Sequence, residues 1–152
     1  MLSVGDTVPE FSLKDAEGKI VKKSDLKGKK YVVYFYPKDF TPGCTTEAAE
    51  FSRDYKKFKS AGIEIIGISP DDVESHKKFG EKMEVPFILL ADIETEIAEK
   101  FGVWAKKQFM GREYMGVNRT TFLVDEKGKI FMVFEKVKAA GHAQEVLEAF
   151  KN

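Results

Sequence analysis

The segment Tyr31-Val32-Val33-Tyr34-Phe35-Tyr36 is an unbroken run of β-branched and aromatic residues, and this run favours a buried strand. Pro37 ends it, because proline has no N–H to give to a strand ladder. A helix opens at Thr41 and runs to about residue 60, stopping before Gly62, which readily takes the left-handed conformation that closes a helix. Ile63-Glu64-Ile65-Ile66-Gly67-Ile68 then makes a second, mostly buried strand. Strand, helix and strand in that order favour a right-handed parallel crossover, which constrains the chain to an α/β arrangement.

The remaining segments extend that pattern. Residues 11–14 and 19–22 flank Asp15-Ala16-Glu17-Gly18, which predicts an N-terminal β-hairpin. Ser69-Pro70-Asp71-Asp72 caps a helix over 73–83, broken by Val85-Pro86. A short strand at 87–90 and a short helix at 94–101 follow. Residues 102–118, rich in Gly, Lys and aromatic groups, read as an excursion over the surface. Strands at 121–124 and 130–134 enclose Asp125-Glu126-Lys127-Gly128-Lys129, a strong antiparallel hairpin signal. A last helix covers 143–150, with Val146, Leu147 and Phe150 on one face. The pattern fits a mixed sheet with helices on both faces, a three-layer α/β/α sandwich.

Composition narrows the class without choosing a function. With 152 residues and 43% hydrophobic content, the chain can bury one substantial core, so one domain over 1–152 is expected. Twenty-five basic residues balance twenty-five acidic ones, and no block of like charge suggests a nucleic-acid or anionic-membrane partner. No apolar run approaches the roughly 18 residues of a membrane span. Met1 to Asp6 lacks a basic region followed by an apolar stretch, so no secretory signal is expected. One cysteine allows no internal disulfide, which suits a cytoplasmic setting.

That cysteine, Cys44, falls at the third position of the helix that opens with Thr41 as its cap and Pro42 in its first turn. There its sulfur faces unpaired N–H groups and the positive end of the helix dipole, a setting that favours thiolate over thiol. A lone cysteine is more often a small buried apolar residue. A core cysteine, however, would be expected on the apolar stripe in mid-helix, here Ala48, Phe51, Tyr55 and Phe58. The placement therefore points to a nucleophile.

The stretch Pro37-Lys38-Asp39-Phe40-Thr41-Pro42-Gly43-Cys44 has the form PxxxTxxC, and with FTPGCTTEA it resembles the active-site signature of the peroxiredoxins, in particular the PrxQ or bacterioferritin comigratory protein branch. The likeness continues in Gly5-Asp6, in Pro9 to Leu13, in Ile66-Gly67-Ile68-Ser69, and in Arg119-Thr120-Thr121-Phe122-Leu123-Val124-Asp125. Four blocks in the right order are far more specific than an isolated TxxC. The resemblance implies a thioredoxin-like fold with no cofactor. It implies reduction of hydrogen peroxide and organic hydroperoxides by Cys44, with thioredoxin or a small thiol as reductant, in a monomer or weak dimer. It places Arg119 beside Cys44. It gives Thr41, Arg119 and the N–H groups of Gly43 and Cys44 the task of holding the peroxide, and Pro37 that of shielding the thiolate. Glu47 matches the branch pattern too, either orienting Arg119 or serving as an anion near a helix N-terminus.

Thiolate formation alone cannot explain such an activity. A cysteine of pKa near 8.5 is about 3% thiolate at pH 7, and one lowered to about 6 is roughly 90% thiolate. Intrinsic nucleophilicity falls with pKa along a slope of about 0.4 to 0.5, which returns roughly tenfold of that thirtyfold gain. Stabilisation of charge developing on the peroxide oxygens must supply most of the rate. One departure stands out. Where the branch often reads CTxEAC, this chain reads CTTEAA, so Ala49 occupies the place of a resolving cysteine. Either the enzyme is naturally one-cysteine or a cysteine at 49 has been replaced.

Other chemistries fit less well. The two histidines, His76 and His142, form no metal-ligand spacing with one cysteine, and neither lies in a hydrolase motif. A thioredoxin-type oxidoreductase would need CxxC, and position 41 is threonine. The alternative is a redox-sensing or binding module of the same fold that reacts without turnover.

Overall fold

A computed structural model describes residues 1–151. In chain order its strands and helices are β1 (Ser12–Asp15), β2 (Ile20–Lys22), β3 (Lys30–Phe35), α1 (Pro42–Arg53), α2 (Tyr55–Ser60), β4 (Ile63–Ser69), α3 (Val73–Met83), β5 (Ile88–Ala91), α4 (Glu96–Phe101), β6 (Trp104–Phe109), β7 (Arg112–Val117), β8 (Thr120–Val124), β9 (Ile130–Phe134) and α5 (His142–Lys151). Seven strands form one mixed sheet in the order β2-β1-β5-β4-β3-β8-β9. Strands β3, β4 and β5 are parallel to one another, and β1, β8 and β9 join antiparallel.

The apolar run that fixed the reading of β3 is explained by its central place, with β4 on one side and β8 on the other. Its side chains alternate between two cores because successive residues of a strand point to opposite faces. Val33 and Phe35 join Phe101 of α4, Phe122 and the N-terminal Val8 and Phe11 on one face. Val32, Tyr34 and Tyr36 join Phe51 of α1, Phe58 of α2, Phe79 of α3 and Leu147 of α5 on the other. Gly67 is required by this packing, since a Cβ there would lie 2.8 Å from Cζ of Tyr34 and 3.0 Å from Leu89.

The structure departs from the sequence reading in three places. The helix expected over 41–60 is two helices. Asp54 leaves helical geometry (φ −93°, ψ 2°), and the i,i+3 bond from the Lys57 N–H to its carbonyl (2.9 Å) tightens the chain there, while its buried carboxylate accepts two hydrogen bonds from the Arg53 side chain. The helix expected from residue 94 starts at Glu96, because Asp92 caps it by accepting from the N–H groups of Ile97 and Ala98 (3.1 and 2.8 Å). Residues 102–118 do lie outside the main sheet, yet they are ordered as a separate hairpin of β6 and β7. Its turn at Met110-Gly111 has positive φ at both residues (51° and 80°), as a tight two-residue hairpin requires. No helix among the described residues is long and apolar enough to cross a membrane.

Candidate active site

Strand β3 ends in a loop that turns into α1, with Thr41 in extended geometry (φ −82°, ψ 153°) as the cap and Pro42 in the first turn. Cys44 is therefore the third helical residue, 2% exposed, at the C-terminal end of the parallel strands. The first-turn N–H groups there lack partners within the helix. Thr41 corrects one expectation. Its side chain makes no capping bond to the helix and donates instead to the carbonyl of Lys38 (2.7 Å). Its only hydroxyl hydrogen is thus committed, leaving its oxygen lone pairs as acceptors. Pro37 is half-buried where the loop leaves the sheet.

Arg119 reaches the site through sheet register. Phe35 at the end of β3 pairs with Thr120 at the start of β8, which sets the preceding Arg119 beside the start of α1. One guanidinium nitrogen donates to Sγ of Cys44 at 3.3 Å, and the other donates to Glu47 at 2.6 Å. Residues 75 and 72 positions apart in sequence are joined by one side chain. Gly43 makes room for it: a Cβ at this position would sit 3.0 Å from Nη2 of Arg119. The bond from Arg119 is the contact that an orienting role for Glu47 requires.

Glu47 is 1% exposed, and its second carboxylate oxygen has no hydrogen-bond partner among the described residues. Burial pushes its pKa up to about 7 against the opposing pull of Arg119. For Arg119, burial is the largest influence and opposes its charge, but Glu47 and Cys44 together outweigh it and raise the guanidinium above its ordinary value. Beneath the site, Tyr34 stacks on Phe51 at 4.9 Å and on Tyr36 at 5.5 Å.

Sequence reasoning missed one neighbour. The β6–β7 hairpin carries the half-buried Lys107, whose pKa is lowered by burial and then by repulsion from Arg119, with Cys44 acting the other way. Nothing in a lysine-rich segment marks this lysine from the rest. A cleft of about 430 Å³ lined by Lys30, Ile63 and Leu147 opens at the opposite end of the strands and does not include the cysteine.

Residues 4–133 match the AhpC/TSA family. Peroxiredoxin Bcp of Bacillus subtilis (strain 168) is 47% identical over 151 residues, covering 99% of this chain and 96% of that protein. A solved mutant of Xylella fastidiosa PrxQ superposes with a TM-score of 0.94 at 32% identity, covering 99% of this chain and 96% of the other. The bacterioferritin comigratory protein of Xanthomonas campestris, solved in connection with its alkyl peroxide reduction activity, gives 0.89 at 37% identity, covering 96% and 98%. The three-layer sandwich is thus the thioredoxin-like fold of these proteins, and the chain belongs to the AhpC/TSA family as a peroxiredoxin of the PrxQ or Bcp branch.

Proposed function

We propose that this chain is a thiol-dependent peroxidase in which the Cys44 thiolate attacks hydrogen peroxide or an alkyl hydroperoxide. A sulfur lone pair forms a bond to one peroxide oxygen while the O–O bond breaks, and the other oxygen leaves as hydroxide or alkoxide. That leaving group takes the proton of the attacked oxygen, giving water or alcohol. The peroxide gains two electrons and the sulfur loses two, becoming a sulfenate. The sulfenate takes up a proton from solvent to become sulfenic acid; an external thiol then attacks its sulfur, forming a mixed disulfide with release of water, and a second thiol, or the second cysteine of a thioredoxin, restores Cys44.

The contact of Arg119 with the sulfur at 3.3 Å carries this reading. A guanidinium fixed on Glu47 presents donors both to sulfur and to an oxygen bonded to it, where charge develops as the O–O bond lengthens. Thr41 accepts the hydrogen of the peroxide, because its own is held by Lys38. The N–H groups of Gly43 and Cys44 add donors, and Pro37 limits access of water. The alkyl peroxide chemistry of the Xanthomonas relative supports the wider substrate class.

Burial of Cys44 has a consequence for recycling. A sulfenate only 2% exposed cannot meet a protein thiol until the first turns of α1 open. With Ala49 where a resolving cysteine would be, the reductant is external. Peroxide consumption with dithiothreitol present tests the function: the parent should turn over many times, and Cys44→Ser should not. A serine variant retaining most of the rate would refute it, and a parent that reacts once and stops would make it a sensor.

A further inference from the structure

We propose that Asp71, braced by the buried pair Asp39–His76, positions the Thr41 hydroxyl for peroxide through the single peptide unit between Lys38 and Asp39. The inference rests on the peroxidase reading of Cys44 and adds residues from the start of α3 to it.

The two ends of that peptide unit have different partners. Its N–H, from Asp39, donates to Oδ2 of Asp71 at 2.8 Å, and its carbonyl, from Lys38, accepts from the Thr41 hydroxyl at 2.7 Å. An amide that gives its N–H to a carboxylate becomes a better acceptor at its oxygen, because hydrogen bonds in a chain polarise one another. Asp71 is itself held by the hydroxyl of Ser69 at 2.6 Å. A relay therefore runs from Ser69 through Asp71 and one peptide to Thr41. It fixes which way the threonine hydrogen points, and so leaves the oxygen lone pairs to accept from peroxide.

The side chain of Asp39 keeps the peptide in place. It accepts from Tyr36 (2.6 Å), from Nδ1 of His76 (2.7 Å) and from Ser75 (2.8 Å). Nε2 of His76 lies 2.9 Å from the carbonyl of Leu90. Each ring nitrogen of His76 thus lies at hydrogen-bond distance from an oxygen, one of a carboxylate and one of a carbonyl, and the His76 and Asp39 side chains are both buried (0% and 1% exposed). The loop needs such bracing because Phe40, between Asp39 and Thr41, sits in the left-handed region at φ 66°. Atoms of Asp39, Asp71 and His76 come within 4.8 Å of one another in the manner of a cation site. Each of the three side chains is already engaged by these hydrogen bonds, and the clasp accounts for the cluster.

The experiment measures two rates on the full chain: oxidation of Cys44 by hydrogen peroxide and its alkylation by iodoacetamide. Alkylation needs a thiolate but no peroxide geometry. Asp71→Ala should slow oxidation about five- to tenfold, the effect of a single orienting hydrogen bond, and leave alkylation unchanged. Asp71→Asn, whose amide oxygen accepts the same N–H, should recover most of the rate. In a Thr41→Val background, Asp71→Ala should do nothing more. The proposal is overturned if oxidation by Asp71→Ala matches the parent, if both reactions slow equally, or if the Asp71 and Thr41 losses multiply. Should Asp71→Ala not fold, Ser69→Ala gives the same test with an expected two- to threefold loss confined to peroxide. A parent inert to peroxide would instead refute the peroxidase reading before any variant is compared.

Discussion

Gly43→Ala should separate stability from chemistry at this site. Alanine is favoured over glycine in a helix by up to about 1 kcal/mol, which for a chain of this size corresponds to a rise of roughly 2–4 °C in Tm. The added Cβ, however, would meet Nη2 of Arg119 at 3.0 Å, on the nitrogen that donates to Cys44. The guanidinium cannot retreat freely, because its other nitrogen is held by Glu47 at 2.6 Å. A hydrogen bond to a charged group contributes about 1.5–3 kcal/mol. Losing the lower part of that range from the transition state would slow peroxide attack about tenfold or somewhat more. Rapid-quench intact mass over a series of peroxide concentrations gives the rate, and a thermal melt gives Tm. The expected result is an unchanged or higher Tm with a slower oxidation. A full rate with a raised Tm would refute the reasoning, since the contact between Arg119 and sulfur would then do no work in the reaction.

Two further expectations concern the same helix. Burial raises the pKa of Glu47 from its ordinary 4.5 to about 7, so between those values the folded chain holds a proton that the unfolded chain has released. Stability should therefore fall as pH rises through that window, by up to about 3 kcal/mol, and Glu47→Gln should flatten the dependence of the urea midpoint on pH between 4.5 and 7. A Gln variant with the same slope as the parent would contradict this. Ala49 is exposed while Cys44 is buried, and residues five apart lie about 140° round a helix axis. Ala49→Cys should therefore form a disulfide with oxidised Cys44 only with unwinding of the first turns of α1. Mild peroxide should give a mass two hydrogens lower, together with faster amide exchange over residues 41–50. Only masses one, two and three oxygens higher would show that position 49 does not resolve the sulfenate.

What the sequence disclosed followed from how local each signal is. The β3–α1–β4 unit was legible because an apolar run, a proline stop and a helix start lie within adjacent segments, and they place Cys44 without knowledge of anything distant. The β6–β7 hairpin was not read as strands because most of its residues are exposed, as with Lys106, Gln108, Arg112 and Glu113, so no buried face imposes alternation. Asp54 breaks the long helix by a one-residue change in backbone geometry that the apolar stripe through Phe51 and Phe58 conceals. Arg119 was placed by resemblance, since only the register of β3 with β8 brings it to the sulfur. The clasp was invisible for the same reason: Asp39 and His76 are 37 residues apart, and each alone is an ordinary loop or helix residue.

The central claim is that catalysis lies in stabilising charge on the peroxide oxygens, beyond supplying a thiolate. Its most direct test is the ratio of two rates for Arg119→Ala and the parent, oxidation by hydrogen peroxide over alkylation by iodoacetamide, at a pH where both cysteines are ionised. The account predicts that the ratio falls roughly tenfold or more in the variant, with oxidation lost and alkylation nearly retained. An unchanged ratio, whether both rates fall together or neither does, would contradict it.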